Sequence, residues 1–213
     1  RCTIAAAYTH LRIYRDDVGI SDVLSPLLIP TYAYTVMMWL TPLVILPERT
    51  RLITMAVVAL LTAVLPTAAI LALKSLGRIS DNAISSRNER LIPFALALGC
   101  YLGACWYLNS IHAPWWVSRF FLGAGLAVAT ATAVTLKWKI SAHATAIAGM
   151  TGMIIWLAFR HLLLLQPMIV ITVSIMLCGI VSSSRLVLHR HTFAQVGAGF
   201  ALGLLCVVTV MLF

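Results

Sequence analysis

Charged residues, and acidic ones above all, are scarce in this chain. Only 6 of its 213 residues are Asp or Glu, and charged residues make up 10% of the sequence against 62% hydrophobic residues. A soluble domain carries about a quarter charged residues, so this chain lacks the polar surface that a water-soluble globule requires. Strand-like alternation of apolar and polar residues is also absent, which argues against a membrane β-barrel. We therefore expect an integral membrane protein that is built from α-helices.

Metal-binding and disulfide-forming patterns are missing as well. The five cysteines contain no C-x-x-C pair, and four of them lie in apolar segments, as expected for small packing residues. The net charge is +9, but no run of clustered Lys and Arg is interleaved with exposed aromatic residues, so we expect no nucleic-acid partner. The basic residues instead favour loops beside membrane helices, or a site for an anionic lipid head group.

The hydrophobic runs predict an all-α, polytopic helical bundle. A helix needs about 20 predominantly apolar residues to cross the hydrocarbon core, and seven runs come close to this length. They cover residues 24–46, 52–73, 92–109, 115–136, 143–163, 167–183 and 192–213. The first run is interrupted by prolines and the third and sixth are short, so we expect six to seven transmembrane helices. Residues 1–21 form a polar flank, and no repeat or linker divides residues 1–213, which predicts a single membrane domain.

Three polar segments follow the second, fourth and sixth predicted spans. They cover residues 74–94, 137–145 and 182–195 and contain the richest clusters of Ser, His, Lys and Arg. Because the connections after alternate spans lie on one side of a membrane, we expect the three segments to converge at one face. Basic residues are more numerous on that face, which the positive-inside rule would place in the cytoplasm. In the last span, Gly199 and Gly203 predict close helix packing, inside the fold or between the protomers of a homo-oligomer.

The residues of these segments fit the hydrolysis of a phosphoester without a metal. Such a site needs fixed cations around the phosphoryl oxygens, a neutral nucleophile, an acid for the leaving oxygen and a group that orients the nucleophile. Arg90 and Arg185 are candidates for the phosphate clamp, with Arg87 as a further cation. His191 and His143 offer the nucleophile and the acid.

Two further residues complete the candidate site. Gln195 follows His191 by four residues, on the same helix face, so its amide oxygen can accept the Nδ1 proton of that histidine. Ser141 precedes the fifth span, where free backbone N–H groups favour an anion. The remaining histidines are expected to be structural or loop residues: His10, His112, His161 and His189.

The order and spacing of these residues resemble the signatures of the type 2 phosphatidic acid phosphatase superfamily. Residues 184–195 (SRLVLHRHTFAQ) resemble its last signature, which is Ser-Arg, five residues, His, three residues, Asp. Residues 140–143 (ISAH) resemble its Pro-Ser-Gly-His signature, and residues 90–93 (RLIP) match its Lys, six residues, Arg-Pro signature in part.

The resemblance implies a role for each matched residue and a metal-independent site without a cofactor. His191 would be the nucleophile that forms a phospho-histidine, and His143 would be the general acid. The phosphate would be held by three residues: Arg185, Arg90 and Ser141.

Two positions depart from the signatures. Gln195 stands where the family has an orienting aspartate, so it can accept a hydrogen bond but carries no charge. Ala83 stands where the family has a lysine. The nearby cations that could replace this lysine are Lys74, Arg78 and Arg87.

The predicted function is therefore the hydrolysis of a lipid phosphomonoester or diphosphate. The candidate substrates are phosphatidic acid, phosphatidylglycerol phosphate, a polyprenyl diphosphate and a lipid A phosphate, and the expected partners are this lipid substrate and the surrounding membrane lipids. We expect an integral protein of a bacterial inner membrane. The resemblance favours a site on the periplasmic face, which is opposite to the indication from the basic residues.

Two alternatives remain open at this point. A catalytically impaired protein could use the same cationic, histidine-bearing cavity to bind or transport an anionic lipid without hydrolysis, and the two departures favour this. A Mg²⁺-dependent prenyltransferase would need paired carboxylates. Asp81 and Glu89 are the only acids in the three polar segments and lie eight residues apart, which argues against it.

Overall fold

The computed structural model describes residues 24–77 and 91–213, and the regular structure in these ranges is helical. Its helices are α1 (Ile29–Leu40), α2 (Glu48–Ser75), α3 (Leu91–Ser110), α4 (Trp115–Thr135), α5 (Ala142–Phe159), α6 (Pro167–Val187) and α7 (Phe193–Leu212), with a 3-10 turn at Pro42–Ile45. Helices α2 to α7 are long and apolar enough to cross a membrane. The predicted all-α membrane fold with six to seven transmembrane helices is therefore confirmed.

Helix α1 shows that the first predicted span is wrong. It has 12 residues, which give about 18 Å of helix and cannot cross about 30 Å of hydrocarbon. It ends at Thr41, where extended backbone and the following proline begin the 3-10 turn. Before the helix, the Pro26 carbonyl accepts a hydrogen bond from the Tyr101 hydroxyl of α3 at 3.1 Å. At its end, the Leu40 carbonyl accepts one from Leu164 N–H at 2.9 Å, so α1 runs from beside the middle of α3 to the α5–α6 connection.

Helix α2 contains a wider π-turn at Leu60–Val64, which only Leu65 separates from Pro66. Proline has no N–H group and its ring clashes with the carbonyl four residues earlier, and a π-turn relieves this conflict locally. Thr62, within the turn, donates to the Val58 carbonyl at 2.8 Å and shares a 2.8 Å hydrogen bond with the Thr31 hydroxyl. The irregular turn therefore provides a polar contact that joins α1 to α2.

Helix α5 is the centre of the bundle, and it packs most closely against α7. A Cβ atom at Gly199 would lie 2.7 Å from the Ser141 carbonyl oxygen, and one at Gly203 would overlap the carbonyl group of Thr145. The two backbones approach this closely because these positions carry no side chain. The predicted close packing at Gly199 and Gly203 is confirmed, and the contacts are made within the chain.

Among the described helices, three end in a cap that places a histidine in the left-handed conformation. At the end of α6, His189 N–H donates to the Leu186 carbonyl at 3.0 Å and Arg190 N–H donates to the Arg185 carbonyl at 3.2 Å. This pair of hydrogen bonds is the Schellman motif. Histidine is among the residue types that are enriched at positive φ. The same conformation occurs at three positions: His112 (φ 55°), His161 (φ 55°) and His189 (φ 50°).

At two of these caps, the observed end of the helix differs from the predicted end. Helix α5 ends at Phe159, before the predicted end at residue 163, because the chain turns at His161. Helix α6 continues to Val187, four residues beyond the predicted end at 183. Residues 184–187, which the hydrophobic pattern predicts to be part of a loop, therefore belong to the last turn of a helix.

Candidate functional site

The first turns of α5 and α7 meet at one end of the bundle. Ser141 N–H donates to the Gln195 carbonyl at 3.3 Å, which joins the two helix starts directly. The buried Ser141 is the N-cap of α5, because its hydroxyl accepts a hydrogen bond from Ala144 N–H at 3.4 Å. His143 lies two residues into this helix and is half-buried. The predicted convergence of residues 137–145 and 182–195 is therefore present in the fold.

Gln195 orients the ring of His191. Its Oε1 atom lies 3.2 Å from His191 Nδ1 and also accepts a hydrogen bond from Thr192 N–H at 3.2 Å. A backbone N–H can only donate, so the amide atom that faces it is oxygen. An amide oxygen can only accept, so His191 Nδ1 carries the hydrogen and Nε2 keeps its lone pair when the ring is neutral. The side chain of His191 is half-buried.

Gln195 also has a structural role that its spacing from His191 does not indicate. Thr192 is the N-cap of α7, and its hydroxyl accepts a hydrogen bond from Gln195 N–H at 3.4 Å. Together with the Thr192 N–H to Oε1 bond, this forms a capping box. We did not predict this role, although the signal is present in the sequence, because Thr192, two residues and Gln195 match the Ser/Thr-x-x-Glu/Gln pattern that precedes a helix.

Arg185 lies in the last turn of α6 at nearly the same depth as His143. Helices α5 and α6 are antiparallel and share a contact of 3.1 Å between Thr151 Oγ1 and Cys178 Sγ. From this contact, His143 lies eight residues along α5 and Arg185 seven residues along α6. At 1.5 Å per residue these are about 12 Å and about 10.5 Å, so the two depths agree within about 2 Å. The half-buried side chain of Arg185 therefore lies at the same end of the bundle as the two imidazoles.

The other predicted phosphate ligands lie in or near the first polar segment. Lys74 is in the last turn of α2, at the same face, and is half-buried. Arg87 and Arg90 lie outside the described residues, as do Arg78 and Ala83. The structure thus joins Ser141 to Gln195 and Gln195 to His191, with His143 and Arg185 at the same end of the bundle.

Within residues 24–77 and 91–213, this face carries cations and no carboxylate. The only acidic residue in these ranges is Glu48, which begins α2 at the opposite end of the bundle. In the same ranges, no group of three or more His, Cys, Asp or Glu side chains could hold a metal ion. The side chains placed at the site are therefore suited to an anion.

An apolar cavity of about 220 Å³ begins at the first turn of α5. Ala142 and Ala146 of α5 line one wall, although His143 does not, and Tyr101 and Phe120 line deeper parts. Other walls come from α4 and from the residues that precede α1. The hydrophobic pattern could not have predicted this cavity, because its lining comes from segments that are far apart in the sequence.

Comparison with models of protein families, with characterised proteins and with solved structures finds no significant match to this chain. The resemblance to the phosphatase signatures therefore depends on the residues of the three polar segments alone.

Proposed function

We propose that this protein is a membrane phosphatase that hydrolyses a phosphomonoester or diphosphate of a lipid through a phospho-histidine. The observation that carries the proposal is the Gln195–His191 hydrogen bond, which leaves Nε2 of the half-buried ring with a free lone pair whenever the ring is neutral, as a nucleophile requires. The spacing predicts a shared helix face, but His191 precedes the N-cap Thr192 and contacts Gln195 across the capping turn. The hydrogen bond from Thr192 N–H to Oε1 fixes the orientation of the Gln195 amide. This orientation in turn fixes the tautomer of the His191 ring when the ring is neutral.

The reaction has two balanced steps. His191 Nε2 attacks phosphorus, a P–N bond forms, and the P–O bond to the lipid breaks while protonated His143 donates its proton to the leaving oxygen. Water then attacks the phospho-histidine, neutral His143 takes a proton from that water, and the P–N bond breaks to release phosphate. Arg185, and Arg90 and Arg87 from the first polar segment, would neutralise the phosphoryl oxygens, with the start of α5 as a further anion-binding element.

A lipid fits this site better than a soluble phosphoester. The apolar cavity begins at the neighbours of His143 and extends towards Tyr101 in the middle of α3, so a hydrocarbon chain attached to the phosphate has an apolar place to lie. The helices that carry the site are long and apolar enough to cross a membrane, so we expect their ends to lie at its boundary. We place the site on the periplasmic face of a bacterial inner membrane, following the family resemblance.

The test is phosphate release by purified protein in detergent with EDTA present. The substrates are phosphatidic acid, phosphatidylglycerol phosphate, a polyprenyl diphosphate and a lipid A phosphate. We expect release from at least one of them, and a phosphorylated protein that is stable in alkali and labile in acid after rapid quenching. His191→Ala should abolish both signals.

His189→Asn is the matched control. This histidine is two residues away, exposed and in the left-handed conformation that asparagine also adopts, so this variant should keep full activity. Unchanged phosphate release in His191→Ala would contradict the mechanism, and dependence on added Mg²⁺ would favour the prenyltransferase alternative.

One observation favours a second candidate, an anion-binding protein that does not hydrolyse its ligand. The capping box explains the presence of Gln195 without catalysis, because Gln at this position stabilises the start of α7. A glutamine also cannot stabilise an imidazolium by charge. A lipid phosphate that co-purifies and stays intact during long incubation would support this candidate.

A further inference from the structure

A second cavity, of about 390 Å³ and lined by two arginines, lies at the face opposite the candidate site. The start of α4 and the ends of α5 and α7 form it. Two of its lining side chains are arginines, Arg119 and Arg160, and two are tryptophans, Trp115 and Trp156. Within the part of the chain that the structure describes, no carboxylate lines it. It shares no residue with the phosphatase site, so a ligand of this cavity is independent of the proposed function.

The tryptophans position the two guanidinium groups. Arg119 Cζ lies 4.6 Å from the ring centroid of Trp115, and Arg160 Cζ lies 5.7 Å from that of Trp156. The two indole rings contact each other edge to face, with centroids 5.6 Å apart and planes at 82°. Trp156 is 4% exposed, so the platform is anchored in the protein. A guanidinium that stacks on a ring keeps its N–H edges available for an acceptor.

The position of this cavity at one end of the bundle indicates which kind of hydrogen-bond acceptor its arginines would meet. Tryptophans of membrane proteins concentrate at the level of the lipid head groups, and basic pockets between transmembrane helices bind anionic head groups. Phe159 and Leu212 line the same cavity and are 79% and 61% exposed, which gives acyl chains an apolar surface beside the cations. The N–H groups at the start of α4 add to the positive potential, because no side chain from the described residues caps that helix.

We propose that this cavity binds the phosphate group of an anionic phospholipid in the leaflet opposite the candidate active site. The two arginines contact the phosphate oxygens, and the tryptophan pair holds the guanidinium groups at the depth of the head group. Arginine suits this role because its planar N–H edge matches two phosphate oxygens at once.

The experiment is native mass spectrometry of the detergent-purified protein with phosphatidylglycerol, and with phosphatidylcholine of the same acyl chains. We expect tighter binding of phosphatidylglycerol and a loss of about 30-fold in its affinity in the double variant Arg119→Gln/Arg160→Gln. This is about 1 kcal/mol for each basic residue at a membrane surface, converted at 1.4 kcal/mol for each tenfold change. Binding at the phosphatase face is common to both proteins, so the difference between them reports on this cavity.

Arg49→Gln is the control, because Arg49 is an exposed arginine at the same face that does not line the cavity. It should change the affinity by less than about twofold, since no contact to the site is lost. The second variant, Arg119→Lys/Arg160→Lys, keeps both charges and should lose only part of the affinity, which separates binding from a folding defect. If inorganic phosphate displaces phosphatidylglycerol from the wild-type protein, the cavity binds a free phosphate anion. If it does not, the cavity binds the lipid. Equal affinity for phosphatidylglycerol in wild type and in a correctly folded glutamine double variant would overturn the proposal.

Discussion

Gly203→Ala tests the contact that holds the two site-bearing helices together. A Cβ atom at this position would overlap the Thr145 carbonyl group and approach its Cα atom at 3.0 Å. These are backbone atoms of α5, so no side-chain rotation can remove the clash. Helices α5 and α7 must therefore move apart, and the neighbouring contact between Gly199 and Ser141 must open with them.

The expected cost lies at the upper end of the range for overpacked cores. An added methyl group in a well-packed interior lowers the free energy of unfolding by about 1–3 kcal/mol. Because this methyl group would clash with backbone, we expect a loss of about 3 kcal/mol. For a domain of about 200 residues, each kcal/mol lowers the midpoint of thermal unfolding by about 2–4 °C. The variant should therefore unfold about 6–12 °C below the wild type.

The measurement is thermal unfolding in detergent, followed by a fluorophore that reacts with newly exposed thiols. Cys100 and Cys178 are buried and free, so they report on the opening of the bundle. Gly197→Ala is the matched control, because Gly197 lies in the same helix and no described atom is within 4 Å of its added Cβ atom. Alanine is favoured over glycine in a helix by about 1 kcal/mol, so the control should unfold at the same temperature or slightly above. Equal midpoints for Gly203→Ala and Gly197→Ala would refute the close packing of α5 against α7.

Two further predictions concern the turn before α7. Gln195→Ala and Thr192→Ala both remove the capping box and should each cost about 1 kcal/mol of stability, but only Gln195→Ala removes the acceptor for His191 Nδ1. The rate of phosphate release should therefore be about tenfold lower in Gln195→Ala than in Thr192→Ala, because only the former loses a hydrogen bond of about 1.4 kcal/mol to His191. Equal rates in the two variants would show that Gln195 acts only as a helix cap. His189→Gly should raise the unfolding temperature by about 2–4 °C, because glycine adopts the positive φ of this position without strain; a lower unfolding temperature would contradict the assigned cap.

The features that could be predicted well from the sequence depend on composition or on short spacings. Six of the seven apolar runs correspond to helices long enough to cross a membrane, because an apolar run has few alternatives to a helix inside a membrane. The alternation of spans predicted that Ser141 and Gln195 would lie at one face. The spacing of four residues predicted the contact between Gln195 and His191, but not its geometry: His191 precedes the N-cap Thr192, so the Gln195 side chain reaches it across the capping turn and not along a helix face.

The features that could not be predicted depend on local backbone geometry or on distant residues. The first predicted span is wrong because the chain leaves the helix at Thr41, before it has crossed the membrane. His189 was expected to be a loop residue, but its positive φ and its role in a cap required coordinates. The platform under Arg119 and Arg160 joins the start of α4 to the end of α5, and hydrophobic periodicity carries no information on such a pairing.

His191 alone separates two caps that face each other. The Schellman motif of α6 ends at Arg190, and the capping box of α7 begins at Thr192. His191 precedes the N-cap Thr192, so an inserted or deleted residue here would change its distance from Gln195 or disrupt one of the two caps. The number of residues in this turn should therefore tolerate less variation than their identities, apart from the histidine itself.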